Sequence, residues 1–295
     1  MGISADFQTH LDGGHTTLAR CWQILRKDGV LLGFTDHDND LNFADTVFRA
    51  DTGLTALALD QSTGLSVDNS EALGALSDAS IQDVDIEAGR FDSAKVTAWV
   101  VNWADVAQRR VVFRGSIGEI QRGGGGFRAE LRGLTDPLNQ PSGRVFQKPC
   151  TAVLGDTSCQ IDLGEVQNFA DVVVEEITEQ RVLRFGALTE YAEGWFDRGR
   201  LDVLSGAAAG LTGVIKQDRF AGPVRRVELW APIKAQIAVG DQVRLIAGCD
   251  KRFATCRFKF GNHLNFQGFP DVPGDEWIST LPRDGEVNDG GSLRS

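Results

Sequence analysis

The placement of cysteine constrains this chain most. Five are present, Cys21, Cys150, Cys159, Cys249 and Cys256. Four of them form two close pairs, Cys150-x8-Cys159 and Cys249-x6-Cys256, separated by a long stretch of sequence. In a chain of 295 residues that density is too low for a disulfide scaffold. Four thiolates are instead the donor set of structural zinc or of an iron–sulfur cluster. A zinc knuckle separates its cysteines by roughly two to four residues, because one tight turn must aim both sulfurs at one ion. The wider intervals here favour a cluster, whose iron corners lie apart. Unligated buried thiols and a zinc-stapled binding module stay open as alternatives. If the four do share a ligand, the fold must bring the two ends of its C-terminal part together. Cys21 lies on an apolar–polar alternating stretch and reads as a small buried residue.

The rest of the sequence reads as strand after strand. Thr17–Arg26 alternates, runs into the turn Lys27-Asp28-Gly29, and returns through Val30–Phe34 as a hairpin. Further strands are expected over Phe43–Arg49, Leu54–Leu59, Lys95–Trp103, Val111–Ile120 and Phe127–Leu131. The glycine run Gly123 to Gly126 joins the last two as a hairpin tip; no Lys-Ser/Thr and helix follow it, so it is not a phosphate cradle. Ser80-Ile81-Gln82-Asp83 has the form of a capping box opening a short helix to Ala88. Turn chemistry then concentrates between Thr135 and Cys150, and strands resume over Asp171–Ile177, Arg181–Phe185, Gly199–Leu204, Val214–Gln217, Val224–Leu229 and Gln242–Leu245. The expected architecture is mainly β: small barrel or sandwich domains with short helices, plus a C-terminal metal-stapled module. The division is 1–148, 149–285 with the cysteine site, and 286–295 as a flexible tail.

Charge and hydropathy exclude several classes. There are 30 basic against 41 acidic residues, a formal net charge of −11, and no Lys/Arg-rich block, which argues against sequence-specific DNA binding. No apolar run approaches the roughly 20 residues of a membrane span, and the N-terminus lacks the pattern of a signal peptide. The expectation is a chain that folds in the cytoplasm, with reduced thiols. Ser/His/Asp hydrolysis lacks its Gly-x-Ser-x-Gly elbow. Asp36-His37-Asp38-Asn39-Asp40 could hold a cation, although it lacks a calcium-loop spacing and reads better as a polar turn. Asp83, Asp85, Glu87 and Asp92 read as a solvated acidic face. Phe258 to Gly274, aromatic and glycine-rich, is expected to pack around the cysteine site; a platform for single-stranded nucleic acid is the alternative. A hydrolase would have only Cys150 or Cys249 with His263 as a dyad, and a redox enzyme would lack a flavin or nicotinamide fingerprint.

Several of these segments together resemble one family. Gly248-Cys249-Asp250-Lys251-Arg252-Phe253-Ala254-Thr255-Cys256-Arg257, then Phe260-Gly261-Asn262 and Asn265-Phe266-x-Gly268-Phe269-Pro270, looks like the C-terminal signature of baseplate hub proteins. These occur at the tail tip of gene transfer agents and related long-tailed, siphovirus-like phages. Asp28-Gly29 to Asp38, Asp85-x3-Gly89-Arg90-Phe91-Asp92-x-Ala94 and Cys150-x3-Leu154-Gly155-Asp156-x2-Cys159 add matches along nearly the whole chain. The resemblance implies a structural virion component without catalytic residues. It implies a ring of three copies joining the distal tail protein to a central fibre or host-contacting tail-tip protein, with a tail-tip peptidase as a further neighbour. DNA would pass through the lumen without specific binding. It also implies that Cys150, Cys159, Cys249 and Cys256 hold an iron–sulfur cluster of the 4Fe-4S type, zinc being the alternative.

Overall fold

A computed structural model describes residues 3–50, 55–56, 69–75, 81–123, 126–134 and 143–272. A short helix, α1 (Ala5–Asp12), opens the chain, its N-terminus capped by the Ser4 hydroxyl accepting from the Phe7 N–H. Next come β1 (Leu18–Leu25), β2 (Leu31–Thr35), β3 (Leu41–Phe43), β4 (Thr46–Phe48), β5 (Thr55–Ala56) and β6 (Asn69–Ala75). After helix α2 (Asp83–Glu87) follow β7 (Lys95–Asn102), β8 (Arg109–Gly123) and β9 (Gly126–Gly133). Seven of these strands form one antiparallel sheet in the order β2-β1-β7-β8-β9-β6-β5.

Strand alternation sends side chains to two different cores. On one face Trp22, Ile24, Val96, Ala98, Phe113 and Leu131 pack with Ile81 and Phe91 from the α2 segment. On the other, Ala19, Cys21, Trp99 and Val101 are covered by the β3–β4 hairpin. There Phe43 and Phe48 stack at 4.1 Å and both meet Trp99 edge-on at 5.7 Å. Cys21 is fully buried, and its thiol is pushed up to about 11 by that burial.

The second unit is a barrel. Its strands are β10 (Phe169–Val173), β11 (Glu176–Thr178), β12 (Val182–Phe185), β13 (Arg200–Val203), β14 (Thr212–Ala221), β15 (Val224–Leu229) and β16 (Gln242–Ile246). They lie in the order β10-β16-β13-β14-β15-β12-β11. β10 and β11 are one stretch bent at Val174 and Glu175, whose N–H groups reach Asp241 O at 2.9 Å and Arg184 O at 3.0 Å. The bent stretch thus pairs with both β16 and β12, so the sheet closes on itself and leaves no free edge. Leu183, Phe185, Leu201, Ile215, Leu229, Val243 and Leu245 fill the interior.

A buried ion pair lies at one end of that interior. Arg225 and Asp218 are both 0% exposed. Arg225 Nε and Nη2 donate to the two Asp218 oxygens at 2.6 Å each. Nη1 donates to Leu188 O at 3.0 Å and Tyr191 O at 2.9 Å, and Nη2 to Ala192 O at 2.7 Å. Every guanidinium N–H is used, and the Phe196 and Phe220 rings flank the cation at 4.9 Å each. Asp218 also accepts from the Phe196 N–H at 3.0 Å.

The two units meet at a second set of charges. Arg26 pairs with Asp28 and, at 2.8 Å, with Asp85; Arg90 reaches the same two carboxylates at 3.1 Å each. Arg90 then donates across to the barrel, to Ala209 O at 2.9 Å and Ala207 O at 2.7 Å. Burial would raise the Asp28 pKa, but hydrogen bonds from Arg26 and the Val30 N–H and the Arg26 charge bring it below its ordinary value.

The structure revises several sequence-based elements. Phe43–Arg49 is a hairpin and not one strand: Ala44 and Asp45 turn the chain with φ of 49° and 55°. Helix α2 begins after Gln82, which makes no side-chain capping bond; Ser80 of the expected capping box lies outside the described residues. Asp85 belongs to the ion network and not to a solvated face. Asp171–Ile177 is split by the bend, and Val214–Gln217 is part of the longer β14. Of Leu54–Leu59 only Thr55–Ala56 is described, and the tail at 286–295 lies outside the described residues.

Two outcomes follow from the charges. Asp218→Asn leaves Arg225 buried and unbalanced, and should lower stability by about 3–5 kcal/mol in denaturant titration. Because the Asp28 pKa is depressed in the folded protein, its contribution is complete above about pH 4 and is lost as pH falls through the lower folded value. Hydrogen exchange at the Arg90 contact with Ala207 and Ala209 should therefore rise at acid pH in wild type, and already at neutral pH in Arg90→Met.

Candidate metal centre

The cysteines of both pairs line one cavity. Cys150, Cys159, Cys249 and Cys256 face one small space of about 10 Å³, together with Leu154, Ile161, Phe260 and Phe266. Each sulfur arrives on a differently constrained piece of chain. Cys150 is tied by its N–H to Lys251 O at 2.9 Å, which sets the first cysteine beside the second pair. Cys159 ends a loop organised by Asp156, whose carboxylate accepts from the N–H groups of Cys159 (2.7 Å), Val153 (2.8 Å) and Ser158 (2.9 Å). Those hydrogen bonds hold the Asp156 pKa below its ordinary value.

Cys249 follows β16 directly, and its position depends on Gly248. A Cβ at residue 248 would lie 1.8 Å from Asp197 O and 2.8 Å from Gly199 N, so only glycine lets the chain cross the barrel rim there. Cys256 sits on α3 (Phe253–Phe258), a helix packed against the following turn by an edge-on contact of Phe253 with Phe266 at 5.2 Å. Asn262 ties the pairs together: its amide donates to Cys159 O at 2.5 Å and to Cys159 Sγ at 3.7 Å, and its carbonyl accepts from Cys256 Sγ at 3.2 Å. The Gln267 N–H donates to Cys150 Sγ at 3.4 Å.

The electrostatics register this convergence. Burial, then the neighbouring Cys249, Cys150 and Cys159, push the Cys256 thiol up to about 11. Burial likewise raises Cys249. Next to them the Lys259 ammonium lies between the Trp195 and Phe260 rings, donates to Trp195 O and Gly248 O, and is lowered to about 8 by burial. Burial thus disfavours the thiolate of Cys249 and Cys256, and a cationic centre beside them would favour it. Among the described residues, no three of His, Cys, Asp and Glu are gathered as they would be around one metal ion.

Comparison with known families matches residues 4–162 to "Baseplate hub protein, N-terminal attachment domain" and residues 194–276 to "Phage conserved hypothetical protein BR0599". The chain belongs to the baseplate hub family. A solved chain from the "Virion of native gene transfer agent (GTA) particle" is similar to it over 98% of this hub and 100% of that chain, at 50% identity and a TM-score of 0.89. A search of curated proteins finds no match. The first family match covers the sheet unit together with Cys150 and Cys159, and the second holds Cys249 and Cys256.

The other sequence candidates of this hub fall elsewhere. Asp36 accepts from the Arg20 N–H at 2.6 Å and Asp40 from the Ala50 N–H at 2.9 Å, so both carboxylates serve the backbone of a turn. His37 Nδ1 accepts from the Asn39 N–H at 2.9 Å. His263 is exposed and does not line the cysteine cavity, so the Cys/His dyad weighed from sequence is not assembled there. Phe260 and Phe266 do pack around the cysteines, whereas Phe258 is 79% exposed. Among the described residues no helix is long and apolar enough to cross a membrane. Lys259 carried no signal in the sequence, since a lysine between aromatics is usually a surface residue.

Gly248→Ala should displace the segment carrying Cys249 from the barrel rim and cost about 3 kcal/mol or more. Thermal unfolding measures the cost, and faster alkylation of Cys249 in the folded protein reports the displacement.

Proposed function

We propose that this hub is a non-enzymatic ring component of a tail tip, whose Cys150, Cys159, Cys249 and Cys256 hold a structural iron–sulfur cluster of the 4Fe-4S type. The convergence of four cysteines from remote stretches on one cavity carries the reading. When bound, such a cluster supplies iron–thiolate bonds that cross-link the segments. The protein's own residues do the rest. Asp156 and Gly248 fix the two chain crossings, and Asn262 and the Gln267 N–H supply hydrogen bonds to sulfur. Leu154, Ile161, Phe260 and Phe266 limit water. Closing so long a loop removes chain entropy from the unfolded state, so binding free energy becomes folding free energy.

The place in the particle follows from the same reading. Likeness to a chain of a gene transfer agent virion supports a tail of that kind; within it the family resemblance suggests three copies in a ring between the distal tail protein and the central fibre or host-contacting proteins. The exposed His263 and the use of Asp36 and Asp40 by the backbone favour a structural role over hydrolysis. The net charge of −11 suits a lumen that DNA passes without sticking.

Anaerobic purification tests the reading. The expected product is brown, with broad visible absorption and equal amounts of iron and sulfide, and Cys256→Ser should lose the colour and unfold at lower temperature. Colourless protein containing zinc would refute the cluster and leave the hub role standing.

A further inference from the structure

A second opening, of about 580 Å³, lies on the other side of α3, between that helix and the barrel turn carrying Asp197 and Arg198. Its size is that of a ligand site. Its charges do not balance. Asp197 is committed to the Asp218 N–H at 2.6 Å and to the Arg219 guanidinium at 3.0 Å. Asp250 accepts from the Arg252 N–H at 3.0 Å, with the Arg252 guanidinium no nearer than 3.8 Å and 80% exposed. Lys259 donates to two neutral carbonyls and has Asp250 and Asp197 as its nearest carboxylates in the groove, so the lining carries three cations against two carboxylates. The exposed Arg198 side chain has no hydrogen bond or ion pair among the described residues. A locally cationic groove in a chain of net charge −11 is a selective feature.

The backbone points the same way. Arg198 has φ of +63°, in the left-handed region that non-glycine residues avoid, and its N–H is pinned to Ile215 O at 3.0 Å. Such conformations persist where the surroundings over-determine them and concentrate at binding sites. At the rim stands Phe258, a large apolar ring held in water.

We propose that this groove binds an acidic peptide segment of a partner protein, with carboxylates on Arg198 and Arg252 and an apolar side chain against Phe258. Spaced carboxylates can avoid Asp197 and Asp250, whereas the continuous phosphate charge of nucleic acid meets both. A single exposed ring also makes a poor stacking platform for bases. Arg198 lines this groove alone, whereas Arg252 borders both the groove and the cysteine cavity, so Arg198 is the residue that tests the groove separately.

The experiment is fluorescence polarisation on the full chain, using a fluorescein-labelled peptide of alternating Glu and Leu. Its Lys–Leu counterpart and a labelled oligothymidylate serve as competing probes. The acidic peptide should bind wild type and weaken roughly tenfold with Arg198→Gly, which keeps the backbone turn and removes the charge. Arg198→Lys should restore binding, and Arg114→Glu on the first sheet should leave it unchanged. Failure of the acidic peptide to bind, tighter binding of oligothymidylate, or equal loss with Arg114→Glu would overturn the proposal. Visible absorbance of each variant, read in parallel, separates a lost groove from a lost cluster.

Discussion

Sulfur convergence at the barrel rim is the arrangement on which the C-terminal half depends. Four partly buried thiols face one cavity, and burial together with the three neighbouring cysteines raises Cys256. Little regular structure supports them: α3 spans six residues, and the stretch from Cys150 to Asn168 is mostly turn. Apolar burial alone is a weak force for such a segment, because its large side chains Val153, Val166, Phe258 and Leu264 are all more than half exposed. What holds it are directional contacts, Asp156 to three N–H groups and Asn262 across the pairs, together with the bonds a shared centre would add.

The barrel supplies the rigid end of this construction. Because its sheet closes through the bent β10–β11 stretch, the rim from which Cys249 emerges is fixed on both sides. Arg225 and Asp218 lie beneath the same turn: Asp218 holds the Phe196 N–H, and the neighbouring Asp197 holds the Asp218 N–H. A fully used guanidinium is expensive to bury, yet it fixes one carboxylate and three backbone carbonyls in one geometry, which apolar packing would not do. The Asp197–Arg198 turn is therefore braced from inside, and both the Gly248 crossing and the cationic groove rest on it.

Much of this was legible in the sequence because the signals were local. The hairpin at Asp28-Gly29, strand β7, the Gly123–Gly126 tip and strand β15 follow from alternation and turn chemistry, and the family resemblance rests on contiguous motifs. The misses share a physical cause. Ala44 and Asp45 adopt positive φ without the glycine that usually announces it, so a hairpin read as one strand. Helix α2 starts at Gln82 without a side-chain cap because its place is set by Ile81 and Phe91 in the core and by Asp85 in the ion network. Gathering of the cysteines could be read as a possibility from their number and pairing. Asn262 and Lys259 became meaningful only when distant segments met.

The junction between the two units obeys a different logic from either core. Arg90 reaches Ala207 and Ala209 through hydrogen bonds, and its charge is balanced by Asp28 and Asp85 within its own unit. Such a contact is directional and breakable: it fixes an angle between two rigid bodies without fusing their cores, as expected of interfaces that can reorient. An apolar interface would be stronger in isolation but would leave a sticky face on each unit before docking. In this baseplate hub the charged contact joins the sheet unit to the barrel without merging the two cores. The Asp85-x3-Gly89-Arg90 segment supplies this junction, with Gly89 at φ of +74° turning the chain so that Asp85 and Arg90 face each other.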